Sequence, residues 1–418
     1  MKRLSPSTLL TVVVLLILFI GGGSMLWGEF SAPEPVSTEG QIDWRALYPF
    51  ADTTGEPTPT LPAQTQSSYL SAVTAFQQRL EDSSDHILCR QPFLELCGAF
   101  RRITQQTKTD EIVLLKNGYL TTTVAPTDEP TTVKIADSVI QFANTTKESS
   151  TPFVYVQVPQ KVCRYDDEMP LGEISYINEN FDRHLALLQN VGIDTLDLRE
   201  SLHAGSLDHY SMFFRTDHHW LMSSGLWAAK TICENLNNRY DFHFDTALLD
   251  RGQYSEKTWK NHYLGTQGRT VTRGYISPDD FTILLPDFET DFHVEHPDKA
   301  LSLNGSFSET MFDWDMMENP NYYESSAYEA ILCGNRPLTR IINNNLPDGP
   351  RIMIVHDSYF TVVAPFLANV CGEIDLLDVR AANGNFNGSL DAYREEMQPD
   401  LVLVVLCSPE CIDRSEQP

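Results

Sequence analysis

Basic residues are in short supply. The 418-residue chain has 30 Lys and Arg against 57 Asp and Glu, a net charge of −27. A surface with that balance repels phosphate backbones, which excludes nucleic acid as a partner. Charged residues of both signs make up only 21% of the chain while 42% is apolar, which excludes a mainly disordered protein. The length suits one large or two ordinary domains. The 8 cysteines form no C-x-x-C pair, so the common zinc-ribbon and dithiol redox motifs are missing. H-x-x-x-H and H-E-x-x-H are absent as well, and no repeat of fixed period occurs.

Long apolar runs are rare, but the N-terminus carries one. Met1, Lys2 and Arg3 precede an uncharged stretch from Leu4 to Gly28 that includes LLTVVVLLILFI at 9–20. About 20 apolar residues in a helix span the hydrocarbon layer, and the basic end stays in the cytoplasm. The GEFSAPEP segment that follows lacks an A-x-A cleavage site, which favours an uncleaved anchor over a signal peptide. The expected organisation is a cytoplasmic tail at 1–7, a transmembrane signal anchor at 8–27, and an extracytoplasmic body in the cell membrane. In that oxidising setting Cys89 and Cys97, or Cys407 and Cys411, are near enough in sequence to pair, and buried thiols are the alternative.

Residues 28–84 read as a stalk. The run ADTTGEPTPTLPAQTQSS at 51–68 has too few apolar groups for a core. A single helix is expected from Ser68 to Glu81, where Leu70, Val73, Phe76 and Leu80 recur at helical spacing. From residue 85 the pattern is α/β. Short apolar runs at 112–115, 154–158, 193–198, 210–214, 351–355, 374–379 and 401–406 predict strands, and helical patterns near 131–144, 172–190, 223–238, 359–370 and 389–397 fall between them. Such alternation predicts a mostly parallel sheet. Residues 240–350, polar and rich in Pro and Asn, read as an insertion or a set of long loops.

Two short stretches carry chemistry. RTDHHW at 215–220 lies on a predicted strand-to-helix connection, with Ser223 or Ser224 as N-cap of the helix. Ligands of open α/β sheets bind at such carboxyl ends. In an extended segment Asp217 and His219 point the same way and His218 faces elsewhere, so Asp217 could hold the His219 ring in one tautomer. HDSYF at 356–360 follows the run RIMIV and opens a helical segment. Ser358 there would lie near free helix amides able to stabilise an oxyanion. A serine hydroxyl needs a base, and a carboxylate-oriented imidazole is the usual one, so Asp217, His219 and Ser358 form a candidate triad. Plainer roles stand beside it: Ser358 as an N-cap, Asp217 as a turn residue. A metal on the adjacent histidines is disfavoured, because sequence neighbours seldom ligate one ion together.

These residues resemble a known family. D-x-H-W followed 139 residues after the histidine by D-S-[FY] is similar to the bacterial DHHW proteins, relatives of the SGNH-hydrolase-like catalytic domains of alginate O-acetyltransferases. VPQK at 158–161, LLKNGYLT at 114–121, GNRPLTRI at 334–341 and VTRGYISPDDFTILLP at 271–286 extend the likeness. The resemblance implies a flavodoxin-like, SGNH hydrolase-like three-layer fold over 85–418 in circularly permuted order. It also implies Ser358 as nucleophile, His219 as base and Asp217 as orienting acid. Tyr359, Asn335, Asp357 and His356 are the oxyanion or support candidates, and His218, Trp220 and Lys161 the site-wall candidates. In two respects the sequence departs from the family pattern: His356 stands where the G-D-S block has glycine, and only Asn335 offers itself for the SGNH asparagine. The implied activity is O-acetylation of an exported or cell-surface glycan through an acyl-serine. The acetyl group would come from a membrane-bound O-acyltransferase partner, with no cofactor or metal. A carbohydrate esterase and a non-catalytic glycan-binding or scaffold protein are the alternatives.

Overall fold

The computed structural model describes residues 90–380 and 389–407. The chain divides into two compact units, Met1–Cys97 and Gly98–Pro418. Of the first, only the opening turns of helix α1 (Arg90–Ile103) are described. The expected anchor at 8–27, the stalk with its helix at 68–81, and Cys89 and Cys411 all lie outside the described residues. Among the described residues no helix is long and apolar enough to cross a membrane.

The second unit opens with a small antiparallel sheet, β1 (Lys108–Thr109), β2 (Ile112–Leu114) and β3 (Leu120–Thr122). The main sheet has eight strands. Five run parallel in the order β5 (Asp194–Asp197), β4 (Phe153–Gln157), β13 (Leu401–Leu406), β11 (Arg351–His356) and β12 (Glu373–Asp378). Three more continue antiparallel: β10 (Leu338–Asn343), β8 (Phe292–His296) and β9 (Leu301–Gly305). A separate hairpin pairs β6 (Tyr254–Tyr263) with β7 (Asp279–Pro286).

The parallel strands are apolar throughout because both faces are covered, as the LVLVVL run of β13 requires. Val154, Ile352, Leu403 and Val405 face one core cluster, while Tyr155, Met353, Val402 and Val404 face the other. The second face is covered by α2 (Glu129–Glu148), α3 (Ile177–Asn190) and α5 (Leu390–Met397), and the first by α4 (Met222–Arg239). Helix α2 starts where Asp128 accepts the Thr131 N–H at 2.8 Å, with Pro130 in its first turn, and buries Ile135, Val139 and Phe142 at helical spacing.

Three expectations are corrected here. The sheet keeps the expected parallel part in five of its eight strands but is mixed, because residues 240–350 supply an antiparallel edge instead of forming only an insertion or long loops. Strands β8 and β10 are buried at every other residue, and polar side chains interrupt both (FHVEH and LTRIIN), so they do not stand out as apolar runs. The run 210–214 is not a strand: Tyr210–Met212 form a 3-10 turn, and only Phe213 bridges, to Trp220. Neither Ser223 nor Ser224 caps α4; the cap is Leu221, and the Ser224 hydroxyl donates to the Met212 carbonyl at 2.6 Å.

Candidate active site

Residues 213–220 form a pinched loop. The Phe213–Trp220 bridge closes it, Phe214 N–H donates to the His219 carbonyl at 3.2 Å, and Phe213, Phe214 and Trp220 are buried beneath it. These apolar side chains anchor a turn, which is why the run mimics a strand. The polar residues between them are held one by one. Thr216 gives its N–H and hydroxyl to Asp279 at 2.8 and 2.7 Å, and the Lys161 ammonium donates to the Asp217 carbonyl.

The Asp217 carboxylate, wholly buried, accepts from His219 Nδ1 at 2.5 Å and His219 N–H at 2.9 Å through Oδ1, and from Thr266 N–H at 2.6 Å through Oδ2. Aspartate and histidine therefore meet through an Asx-type turn, not along an extended strand. His218 accordingly does not face elsewhere. Its ring lies 3.9 Å from that of His219, and its Nδ1 is 3.5 Å from Asp217 Oδ1. Burial alone would raise the Asp217 pKa, but the two imidazoles and the hydrogen bonds from His219 hold it well below the usual carboxylate range.

Ser358 follows β11. The cap of the next turn is Asp357, not Ser358: Asp357 Oδ1 accepts the Tyr359 N–H at 3.0 Å and Oδ2 the Cys407 N–H at 2.6 Å. Burial raises the Asp357 pKa against these bonds and the Arg380 charge. The predicted helix 359–370 is broken into a 3-10 turn, Ser358–Val362, and a short helix, Ala364–Ala368, with Pro365 at its start. Gly225 of α4 lets the turn come close, since a Cβ there would lie 2.0 Å from the Val362 carbonyl oxygen. Ser358 Oγ is 2.8 Å from His219 Nε2, and the serine remains 7% exposed. Asp217, His219 and Ser358 thus lie along one line of hydrogen bonds.

The other expected residues fall in several places. Lys161 is not in the site wall: it is buried beneath Asp217, also 3.3 Å from Gln267 Oε1, and desolvation brings its pKa down to about 7 against the pull of Asp217 and Asp279. Trp220 is wholly buried between Phe213, Trp227 and Tyr359, so it is a packing anchor. Tyr359 is buried and its hydroxyl donates to the His218 carbonyl at 2.8 Å. His356 is buried behind the nucleophile turn, its Nδ1 2.8 Å from the Asp357 carbonyl, and burial lowers its pKa. Asn335 accepts the Thr361 hydroxyl at 2.9 Å, a turn beyond Ser358.

Sequence reasoning missed two neighbours of Ser358. The Tyr328 hydroxyl donates to the Ser358 carbonyl at 2.8 Å while its ring stacks on His219 at 4.2 Å. Nothing in its surroundings, SSAYEA, signals this. Arg380 places Nη1 3.3 Å from Ser358 Oγ. Its signal was available, because DVR closes the apolar run 374–379 at a strand's carboxyl end. Ser358, His218, Arg380, Gln160, Thr266 and Cys407 border one cleft of about 470 Å³.

Residues 118–273 match the family model described as the SGNH hydrolase-like domain of acetyltransferase AlgX. The fold is SGNH hydrolase-like. The matched stretch holds Asp217 and His219 but ends before Ser358. Among solved structures, the SGNH hydrolase-like chain is similar to a DHHW family protein from Eubacterium siraeum, at 19% identity over 74% of this chain and 94% of that one, with a TM-score of 0.57. It is also similar to Bacillus cereus PatB1 with a sulfonyl adduct, at 16% identity over 74% of this chain and 98% of that one, with a TM-score of 0.59. At these identities the likeness is one of fold. No curated protein sequence matches the chain.

Asp217, His218 and His219 could also converge on a metal ion, their ligand atoms lying within 4.8 Å of one another. An ion taking Asp217 Oδ1 and His219 Nδ1 would have to replace the 2.5 Å hydrogen bond that joins them. His219 Nε2 faces Ser358 in either case.

Proposed function

We propose that the protein is an extracytoplasmic serine O-acyltransferase that acetylates an exported or cell-surface polysaccharide. One observation carries the reading: Asp217 Oδ1, His219 Nδ1 and Nε2, and Ser358 Oγ stand in sequence at 2.5 and 2.8 Å on the border of an open cleft. Asp217 fixes the tautomer that leaves His219 Nε2 as acceptor, and the serine proton moves to it as Oγ attacks an acyl carbon. The acyl-serine then passes its group to a sugar hydroxyl, deprotonated by the same imidazole. The match of residues 118–273 to a domain described as that of an acetyltransferase supports transfer over hydrolysis. The N-terminal apolar segment at 8–27 supports a membrane anchor, and a membrane-bound O-acyltransferase is the partner that would deliver acetyl groups. The body needs no cofactor of its own in this scheme.

The test uses the full-length protein in detergent with p-nitrophenyl acetate as acyl donor. Release of p-nitrophenol is expected from wild type and not from Ser358→Ala; equal rates would remove Ser358 as nucleophile. Acetylated oligosaccharide found by mass spectrometry after glycan is added marks a transferase, and free acetate alone marks the esterase. Activity lost on chelation would revive a metal ion in the reaction, with Asp217, His218 and His219 as the first residues to test.

A further inference from the structure

The geometry points to Arg380 as a catalytic residue that holds the negative charge on the acyl oxygen whenever Ser358 gains or loses its acyl group. This rests on the reading of Ser358 as nucleophile. When Oγ bonds to the acyl carbon, the carbonyl π pair moves onto oxygen and the serine proton onto His219 Nε2. When the adduct collapses, that pair returns, the bond to the leaving group breaks, and His219 gives the proton to the departing atom. The oxyanion so formed is two bonds from Oγ, within the sweep of a donor that already meets Oγ at 3.3 Å from Arg380 Nη1.

Two features make the guanidinium suitable. It is fixed before the reaction, because Asp378, buried at the end of β12, receives Arg380 Nε at 2.9 Å and Nη2 at 2.6 Å. A donor already held in place by a buried carboxylate needs no reorganisation as charge develops. The donors expected from the sequence are also engaged elsewhere. Tyr359 N–H goes to Asp357 Oδ1 and Phe360 N–H to the Asp357 carbonyl at 3.1 Å, which leaves Ser358's own N–H as the one early amide of the turn that could join Arg380 at the oxyanion. Asn335 is tied through its oxygen to Thr361 and does not border the cleft. Arg380 borders it beside Ser358.

The experiment compares full-length wild type, Arg380→Ala, Arg380→Lys and Ser358→Ala in detergent, with p-nitrophenyl acetate as a donor that carries no anionic group. Arg380→Ala is expected to lower kcat on the order of 10²–10³-fold, the effect of losing one oxyanion donor, with KM nearly unchanged. Millimolar methylguanidinium is expected to restore part of that loss, which a merely structural defect would not allow. Should the alanine protein fail to fold for want of a partner for Asp378, Arg380→Lys decides. A lysine has one nitrogen where the arginine uses Nε and Nη2 for Asp378 and Nη1 for Ser358, so its kcat is expected to fall similarly. Folded Arg380 variants turning over at the wild-type rate would overturn the assignment. So would an Arg380→Ala protein whose loss lies in KM with kcat unchanged, which would make Arg380 a recognition group. Activity retained in Ser358→Ala would instead sink the nucleophile reading on its own.

Discussion

Gly265 offers the sharpest test of how the Asp217 carboxylate is held. Its backbone, at φ −70° and ψ 175°, suits any residue, so the demand for glycine is purely steric. A Cβ at this position would lie 2.1 Å from Asp217 Cβ, 2.4 Å from Oδ2 and 2.6 Å from Cγ. Carbon atoms rest at about 3.5–4.0 Å, so Gly265→Ala demands roughly 1.5 Å of movement. Neither side yields easily. Asp217 is fastened through both carboxylate oxygens, and Gly265 N–H donates to Thr216 Oγ1 at 2.9 Å. A misplacement of about 1 Å costs roughly 10²-fold in rate, and overpacking costs about 1–3 kcal/mol of stability. Gly265→Ala is therefore expected to fold with a lowered urea midpoint and to lose at least about 10² in the p-nitrophenyl acetate rate. Gly252→Ala, where a Cβ meets nothing within 4 Å, is expected to match wild type. Gly265→Ala at wild-type rate would refute the clamp, and an equal loss in Gly252→Ala would show that the assay reads general fragility.

Three further outcomes follow from the same geometry. Asp217→Asn keeps the volume but reverses the tautomer preference of His219, and kcat should drop by roughly 10³–10⁴; a drop under tenfold speaks against the orienting role. Tyr328→Phe leaves the buried Ser358 carbonyl without its 2.8 Å donor while keeping the ring on His219, so urea unfolding should register a loss of about 1–3 kcal/mol, and an unchanged midpoint counts against it. Lys161 loses its proton near 7 in the folded protein but at 10.5 in its ordinary state. Between those values the unfolded chain binds more protons, so stability rises with pH through that window, by up to about 5 kcal/mol. Lys161→Met should flatten this rise; an equally steep profile would assign it to other groups.

Spacing made part of this legible. D-x-H followed by a late D-S was enough to bring three residues onto one candidate site, because the strand runs around them, VYVQV, RIMIV and LVLVVL, are apolar on both faces and unmistakable. What the sequence concealed has a common cause, namely contacts made by residues whose neighbours carry no periodic signal. Tyr328 comes from a stretch read as loop, and β8 to β10 alternate too gently to be seen against Pro and Asn. His218 lies beside His219 instead of opposite it because period two holds in a strand and fails in an Asx turn. Lys161, a wall candidate by the resemblance, is buried instead, because backbone carbonyls of the loop it supports surround its ammonium.

Strand β13 lies between β11 and β4, so the two parallel halves of the sheet have no direct pairing with each other. The Cys407 N–H just beyond it fastens Asp357, next to Ser358. A nascent chain emerging N-terminus first carries Asp217, His219 and Ser358 well before Leu401 arrives. Until that strand inserts, the sheet is discontinuous and the turn bearing Ser358 lacks one of its ties. A chain truncated ahead of Leu401 would therefore hold every reacting group yet lack both the central strand and the Cys407 tie that steadies Asp357 beside Ser358.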